Sequence, residues 1–511
     1  LTPPGADADG PARVDIRVER KGYGRYWTMV AGQLRHGESL PELLAQLPAS
    51  PQLDVGRLHA MAAGRGGIWL TPYAGIQRLT FGHRLRWRPG EAPQITRWFT
   101  PEDEPVAAPG SGVDQLRAAI RDAVVEEVEG ADGCSVAMSG GLDSPTVAVV
   151  AAEVLGARSR GVHRSPVLAL CASPQPGTPP TGTAKVADDW SAASAVGDRV
   201  AGLDVRRLVN QGMVGPLDFA DDFHVRWAMP VSAPANLWWL RESESVSARE
   251  ARRVILTGTS GNATFSVGPP GAPGRLLRDG SREASRAHFG VRGGVGPPGW
   301  PARVGRSAVW DDLRGDGWSG KTRGALLAAM RRRRAGGSPP SPLRGGIATE
   351  MPEHVLAMTP YVRWCLAEPL SAAVGPWSGA DVRWADPLGS PQVIRAAFAL
   401  PADDWTAGGL DRSVARRLTR GMLPDQVRLR RSRGDQSADL PDLIRRDAHR
   451  YTAALASFRE SPTTAEILDT DVMWASRQLL QGSRADAVAW RMAYLRPFTV
   501  ALFTTWWDSW Q

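Results

Sequence analysis

Apolar residues along this chain change their spacing several times, and each change marks an element. Leu116, Ile120, Val124 and Val128 recur every four residues and predict a helix over 112–129. Before it, short alternating stretches at 67–72 and 84–88 lie among glycines and prolines and predict a small, largely β unit over 1–100. The acidic, proline-containing segment 102–110 predicts a linker. From 134 onward, apolar runs alternate with helical patterns. Strands are expected at 134–138, 166–170, 203–209 and 254–256, with helices at 145–155, 187–200 and 236–253. Strands separated by helices imply a parallel, doubly wound sheet with ligands at the carboxyl ends of the strands. Residues 267–348 break the pattern with Gly, Pro and Arg; only 322–334 reads as helix, and the rest is expected to be a poorly ordered insertion. Beyond 351 the chain returns to helix. Its aromatic tail, 498–510, is expected to pack in a core rather than anchor in a membrane, because its basic flank is slight.

The fold class that follows is α/β, with a small β-rich N-terminal domain over 1–105 and a parallel-sheet domain with a helical C-terminal part over 106–511. The 511 residues leave room for two domains, and a hydrophobic fraction of 42% with 22% charged residues is ordinary for a globular protein. No apolar run approaches the roughly 20 residues that cross a bilayer, so no membrane span is expected. Three cysteines, Cys134, Cys171 and Cys365, show no metal-site spacing, and their odd number suits a reducing cytoplasm. The chain opens on Leu1, which leaves its natural start open. The net charge of +8 is carried almost wholly by arginine, lysine standing only at Lys21, Lys185 and Lys321. Without a nucleic-acid motif beside it, that charge predicts no nucleic-acid partner, and the run from Arg331 to Arg334 reads as a solvated segment.

Candidate chemistry begins at Ser139, Gly140, Gly141, Leu142, Asp143 and Ser144. These small residues lie between a predicted strand and a predicted helix that has Pro145 in its first turn and Gly156 at its expected stop. Backbone N–H groups at a helix N-terminus make an anion site. Asp143 is most useful there if a divalent cation sits between it and a phosphate. The loop lacks the lysine of a Walker-type loop. A second strand-to-turn junction follows at Thr257, Gly258, Thr259, Ser260, Gly261 and Asn262, where the Asn262 side chain can face a cation or a phosphate. A third segment is arginine-rich. Arg416, Arg417 and Arg420 read as a solvated helix face, whereas Arg431 and Arg433 precede Gly434 and one of them can turn inward toward a leaving pyrophosphate.

The first loop matches the pyrophosphatase loop of enzymes that split ATP into AMP and pyrophosphate while adenylating a substrate. Together the three segments resemble the asparagine synthetase superfamily, weakly over 20–130 and well over 130–265 and 380–445. The resemblance implies a glutaminase-like N-terminal domain followed by a synthetase domain. Glutaminases of that family use an N-terminal cysteine; here the first cysteine is Cys134, so the N-terminal domain is expected to be degenerate. β-Lactam synthetases carry a tyrosine where Thr259 stands. The turn from Thr257 to Asn262, the run from Arg433 to Asp439, and the N-terminal segments at 82–86 and 97–102 look more like lasso peptide cyclases.

That branch implies ATP and Mg²⁺, with Asp143 and Asn262 as metal ligands. It implies nucleotide contacts from Ser139, Gly140, Gly141, Leu142, Asp143, Ser144, Gly258, Thr259 and Asn262, and from the backbone at Leu170 and Cys171. Asp143, Arg433 and Asp381 are the implied catalytic residues. Implied partners are a precursor peptide, a leader-recognition protein and a leader peptidase. Three positions depart from the family pattern. Asn262 stands for an aspartate, Arg433 for a lysine, and the acidic residue near 381–383 aligns with Asp381 or, two residues on, with Arg383. Arginine stabilises charge but does not accept a proton at neutral pH. Two further readings stand beside the cyclase: an ammonia-dependent amidotransferase resembling asparagine synthetase, and a non-catalytic ATP-binding subunit.

Overall fold

Six short strands form the sheets of the N-terminal region: Val14–Arg17 (β1), Arg25–Val30 (β2), Gln33–Gly37 (β3), Gln77–Leu79 (β4), His83–Trp87 (β5) and Gln94–Arg97 (β6). They make two three-stranded antiparallel sheets, β1-β5-β6 and β3-β2-β4. The β2–β3 hairpin turns on Ala31 and Gly32, at φ of 47° and 76°, the two left-handed residues that a tight hairpin needs. Two helices, Leu40–Leu44 (α1) and Val55–Ala62 (α2), join the sheets. The structure, a computed structural model, describes residues 13–20, 24–64, 69–108, 110–158, 167–182, 185–231, 233–266, 339–348, 351–358, 360–366, 382–405 and 412–510. The expected helix at 322–334 and the arginine run at 331–334 lie outside the described residues.

The expected strand at 67–72 differs from what forms. Residues 69–72 are buried but irregular. Pro72 has no N–H for a ladder, and its carbonyl instead accepts the Asp54 N–H at 2.8 Å.

The helical spacing at 112–129 gives Gly112–Glu127 (α3), with Leu116, Ile120 and Val124 fully buried along one face. It covers a five-stranded parallel sheet built from Cys134–Ala137 (β7), Val167–Ser173 (β8), Leu203–Val209 (β10), Val254–Leu256 (β11) and Arg383–Ala385 (β12). Lys185–Val186 (β9) and Arg433–Gly434 (β13) pair separately. Strand order is β10-β8-β7-β11-β12, so the chain winds one way from β7 through β8 to β10 and the other way through β11 to β12. The switch point lies between β7 and β11, where doubly wound sheets open a crevice at their carboxyl ends.

Crossover helices are Asp143–Arg158 (α4), Trp190–Arg199 (α5), Ala220–Trp227 (α6) and Leu237–Arg249 (α7). Gly156 is not the stop: it lies inside α4 and does not take a positive φ. Side chains of β8 alternate between faces. Val167, Ala169 and Cys171 enter the core shared with α3 and α4, whereas Leu168 and Leu170 meet Leu208 and the α7 residue Val246. Each such aliphatic side chain contributes roughly 1.5–3 kcal/mol through burial.

The aromatic tail is a core helix, Leu495–Trp510, as the sequence predicts. Phe503 and Trp507 pack on Tyr73, whose hydroxyl donates to the Ala228 carbonyl at 2.8 Å. One buried cluster thus joins α1 and α2 to the C-terminal helices. The end of the expected insertion also belongs to it. Pro342 is buried, and Leu343 bridges to Leu468. The Arg344 carbonyl meets the His59 Nε2 at 2.9 Å. Among the described residues no helix is long and apolar enough to cross a membrane.

Candidate functional site

At the switch point the turn after β7 is held by its own hydroxyls. The Ser139 N–H donates to Ser144 Oγ at 2.9 Å, and the Gly141 N–H donates to Ser139 Oγ at 3.3 Å. The loop therefore curls around Ser144 and delivers its backbone to the start of α4, with Pro145 in the first turn. A Cβ at Gly140 would come within 2.7 Å of the Ala192 Cβ and 2.9 Å of the Asp189 carbonyl, so only glycine fits against α5.

The turn after β11 lies directly on this loop. A Cβ at Gly258 would stand 2.5 Å from the Ser144 nitrogen, and one at Gly261 would stand 2.6 Å from the Asp143 Cγ. Asp386, at the carboxyl end of β12, accepts the Ser260 N–H at 2.9 Å and braces the turn. Asn262 opens a short π-helical turn, Asn262–Ser266; its Oδ1 accepts from Ser266 at 3.3 Å and from Arg412 at 3.4 Å.

These turns and the arginine-rich segment line one cavity of about 530 Å³. Ser139, Gly140, Gly141, Leu142, Asp143, Ser144, Leu170, Gly258, Thr259, Asn262 and Arg433 all line it. Cys171 does not: strand alternation turns it into the core beside α4. The Leu170 carbonyl is also taken, by the Met138 N–H at 2.9 Å. The strand runs to Ser173, three residues past its expected end, so Ala172, Ser173 and Pro174 form that wall. Asp381 lies outside the described residues. Its alternative, Arg383, pairs with Glu127 and donates to the Glu127 carbonyl at 2.8 Å, away from the cavity lining.

Five arginines of the lining, Arg412, Arg416, Arg430, Arg431 and Arg433, make one side of the cavity cationic. Arg416, expected on a solvated face, is instead buried; it donates to the Arg428 carbonyl and, at 3.2 Å, to the Arg430 carbonyl. Arg430 is paired with Asp189 at 2.5 Å. The short parallel pair of β9 and β13 sets Lys185 opposite Arg433. Lys185 reaches Asp435 at 2.8 Å, and Thr181 donates to the same carboxylate through its N–H at 2.6 Å. Burial would raise the Asp435 pKa, but the bonds from Lys185 and Thr181 together hold it below the usual carboxylate range.

Asp143 lies between the two turns and lines the cavity. Burial pushes its carboxyl up, an effect opposed by the Arg412 guanidinium, the Ser266 hydroxyl and the Arg433 guanidinium. Its Oδ1 is buried without a hydrogen-bond partner. An unpartnered carboxylate oxygen facing a cavity of this size fits a hard divalent cation that would complete its shell with oxygen ligands from outside the protein. Asn262 fits less well, because its carbonyl oxygen already faces Arg412. Among the described residues no group of three or more His, Cys, Asp or Glu gathers as a ready-made metal cage. Burial pushes the Cys134 and Cys171 thiols up to about 12, so neither is a nucleophile at neutral pH.

Three residues of the lining escape sequence reasoning, Asp189, Trp238 and Trp239, while Asp439 closes the run from Arg433 that the sequence singled out without giving it a role. The tryptophan doublet within a predicted helix was their only local signal. No family model matches this chain, and it has no match among curated proteins.

Proposed function

We propose that the protein is an ATP-dependent, AMP-forming macrolactam synthetase of the lasso peptide type. The observation that carries this reading is the meeting of a glycine–serine loop, an Asp143 carboxylate with one unpartnered oxygen and a wall of arginines around one cavity at the sheet's switch point. A loop that offers backbone N–H groups with an arginine wall suits a polyphosphate. The loop lacks the lysine of a Walker-type loop and resembles that of enzymes that cleave ATP between the α- and β-phosphates.

In this reading the ATP phosphates lie on residues 139–144. Asp143 would hold Mg²⁺, which would supply charge to offset that of the phosphates. A side-chain carboxylate of the peptide attacks that phosphorus, pyrophosphate leaves, and an acyl-adenylate forms. Arg430 and Arg433 stabilise charge on the departing pyrophosphate. The peptide's N-terminal amine then attacks the activated carbonyl, forming an isopeptide bond and releasing AMP. Holding the folded peptide so that amine and carbonyl meet is the protein's largest contribution.

Incubation with a matched precursor peptide, its leader-recognition protein, its leader peptidase and ATP is expected to give a product lighter by one water. Processed but unclosed peptide would remove the cyclase reading. Pyrophosphate release stimulated by aspartate alone would instead point to an amidotransferase. Asp143→Ala is expected to abolish ATP–pyrophosphate exchange, and unaltered exchange would take Asp143 out of the site.

A further inference from the structure

Four aspartates line the cavity, and three have partners or a role: Asp189 with Arg430, Asp435 with Lys185 and Thr181, and Asp143 at the phosphate loop. The fourth is Asp439. It is 2% exposed, and its Oδ2 has no hydrogen-bond partner. A side recess of about 10 Å³ shares Trp238, Ser437 and Asp439 with the main cavity but none of the phosphate loop. That is room for one water-sized group. Its remaining walls, among them Val214, Pro216, Leu440 and Leu443, are apolar.

The segment that carries Asp439 is held in an unusual shape. Ser437 has φ of 54°, in the left-handed region that a side chain rarely takes. Its hydroxyl donates to the Ala235 carbonyl at 2.8 Å. Arg491 donates to the carbonyls of Ser437 and Gln436, at 3.1 and 2.9 Å, and Arg484 to that of Ala438 at 2.7 Å. Two arginines therefore fix three successive carbonyls, and the strained backbone they hold leaves Asp439 facing the recess. Strain of this kind, about 1–3 kcal/mol, persists where surrounding structure over-determines it and is concentrated at functional sites.

We infer that Asp439, with Trp238 beside it, receives the protonated primary amine of the acyl acceptor and takes its proton before attack. This inference rests on the adenylating reading above and names the acceptor's chemistry within it. A primary ammonium matches the recess in size and the unpartnered Asp439 Oδ2 in charge, and an indole in the same wall suits a cation. Burial pushes the Asp439 carboxyl up, helped by Asp442 and opposed by Arg491 and Arg484, which makes it a better proton acceptor. One proton passes from the ammonium to Asp439. The amine lone pair then forms the C–N bond, the carbonyl's bond to AMP breaks, and the second proton leaves the nitrogen for solvent.

The test compares wild type, Asp439→Asn and Asp439→Glu on a panel of peptides, each with a free N-terminal amine and one internal Asp or Glu. Three readouts are taken: ATP–pyrophosphate exchange, hydroxamate formation with hydroxylamine, and ring closure. Hydroxylamine is neutral at pH 7 and needs no base. Asp439→Asn is expected to keep exchange and hydroxamate formation close to wild type while closure falls by about 10²–10³-fold. Asp439→Glu is expected to recover part of the loss, and the acidic limb of closure should move to higher pH in Asp439→Asn, where only the free amine of the peptide reacts. Closure at the wild-type rate, or loss of exchange in step with closure, would overturn the role of Asp439 and leave adenylation standing. Wild-type protein that exchanges with no peptide would overturn adenylation, and the inference with it.

Discussion

Arg416 is 3% exposed, and its guanidinium serves main-chain carbonyls twelve and fourteen residues further along the chain. The bonds are reciprocal, since Arg428 donates to the Arg416 carbonyl at 3.3 Å. They fix the segment from which Arg430, Arg431 and Arg433 reach the cavity. A methionine would keep much of the packing but leave buried carbonyls unpaired, at a cost of about 1–3 kcal/mol. Arg416→Met is therefore expected to lower the midpoint of thermal unfolding and to weaken ATP binding through the displaced 428–433 segment. Calorimetry with titrated nucleotide checks both. A variant as stable as wild type, with unchanged nucleotide affinity, would mean that the surrounding chain supports the segment unaided. The helical run of charge at 416–420 gave no hint of this, because an arginine's burial is decided by acceptors that only tertiary structure brings near it.

Among elements, the turn after β11 shows how closely two loops can share one site. Gly258 and Gly261 are needed because any Cβ there would meet the backbone or the side chain of Asp143 and Ser144. Gly258→Ala would push main chain against main chain, at a cost of about 1–3 kcal/mol typical of overpacking. It is expected to shift Asp143 and to reduce ATP–pyrophosphate exchange by more than the stability loss explains. Exchange at the wild-type rate, with a crystal structure showing the turn unmoved, would contradict that. Both turns were legible in the sequence, since apolar strands ending in small residues announce themselves locally. Strand limits at 203–209 and 254–256 were legible too, Gly202 and Arg253 preceding them and the polar Asn210 and Thr257 following. The end of β8 was not, because Cys171, Ala172 and Ser173 are small residues that carry little hydrophobic contrast. Nor was the stop of α4: Gly156 suits a cap, yet one glycine costs only about 1 kcal/mol inside a helix whose other residues pack well. Asp439 and Trp238 lie about two hundred residues apart, and nothing local to either reveals the other.

Across the whole molecule, the N-terminal helices α1 and α2, α6 and the C-terminal helix meet in one apolar seam, and that seam contains a histidine. His224 is 1% exposed, and neither ring nitrogen has a hydrogen-bond partner. Its ring lies 5.5 Å from those of Phe503 and Trp506. Burial lowers its pKa to about 4. His83, packed against His354 with ring centroids 4.9 Å apart, is lowered to about 4 as well, first by burial and then by its neighbour's charge. In the unfolded chain both titrate near the ordinary value of about 6.5. Their neutral forms thus favour the native state fully above that value. As pH falls from about 6.5 the unfolded chain binds protons that the folded one refuses, so stability declines until the folded groups titrate near 4. For His224 alone the loss is on the order of 3 kcal/mol. Urea midpoints measured across this range are expected to fall steadily. In His224→Phe, whose ring fills the same seam without a titrating nitrogen, the slope should flatten, while the remaining decline traces His83 and its partner. An unchanged slope in that variant would show that His224 gains its proton without unfolding, through a local opening of the C-terminal helix. Hydrogen exchange at Phe503 and Trp506 would then rise on acidification while the central sheet stayed protected.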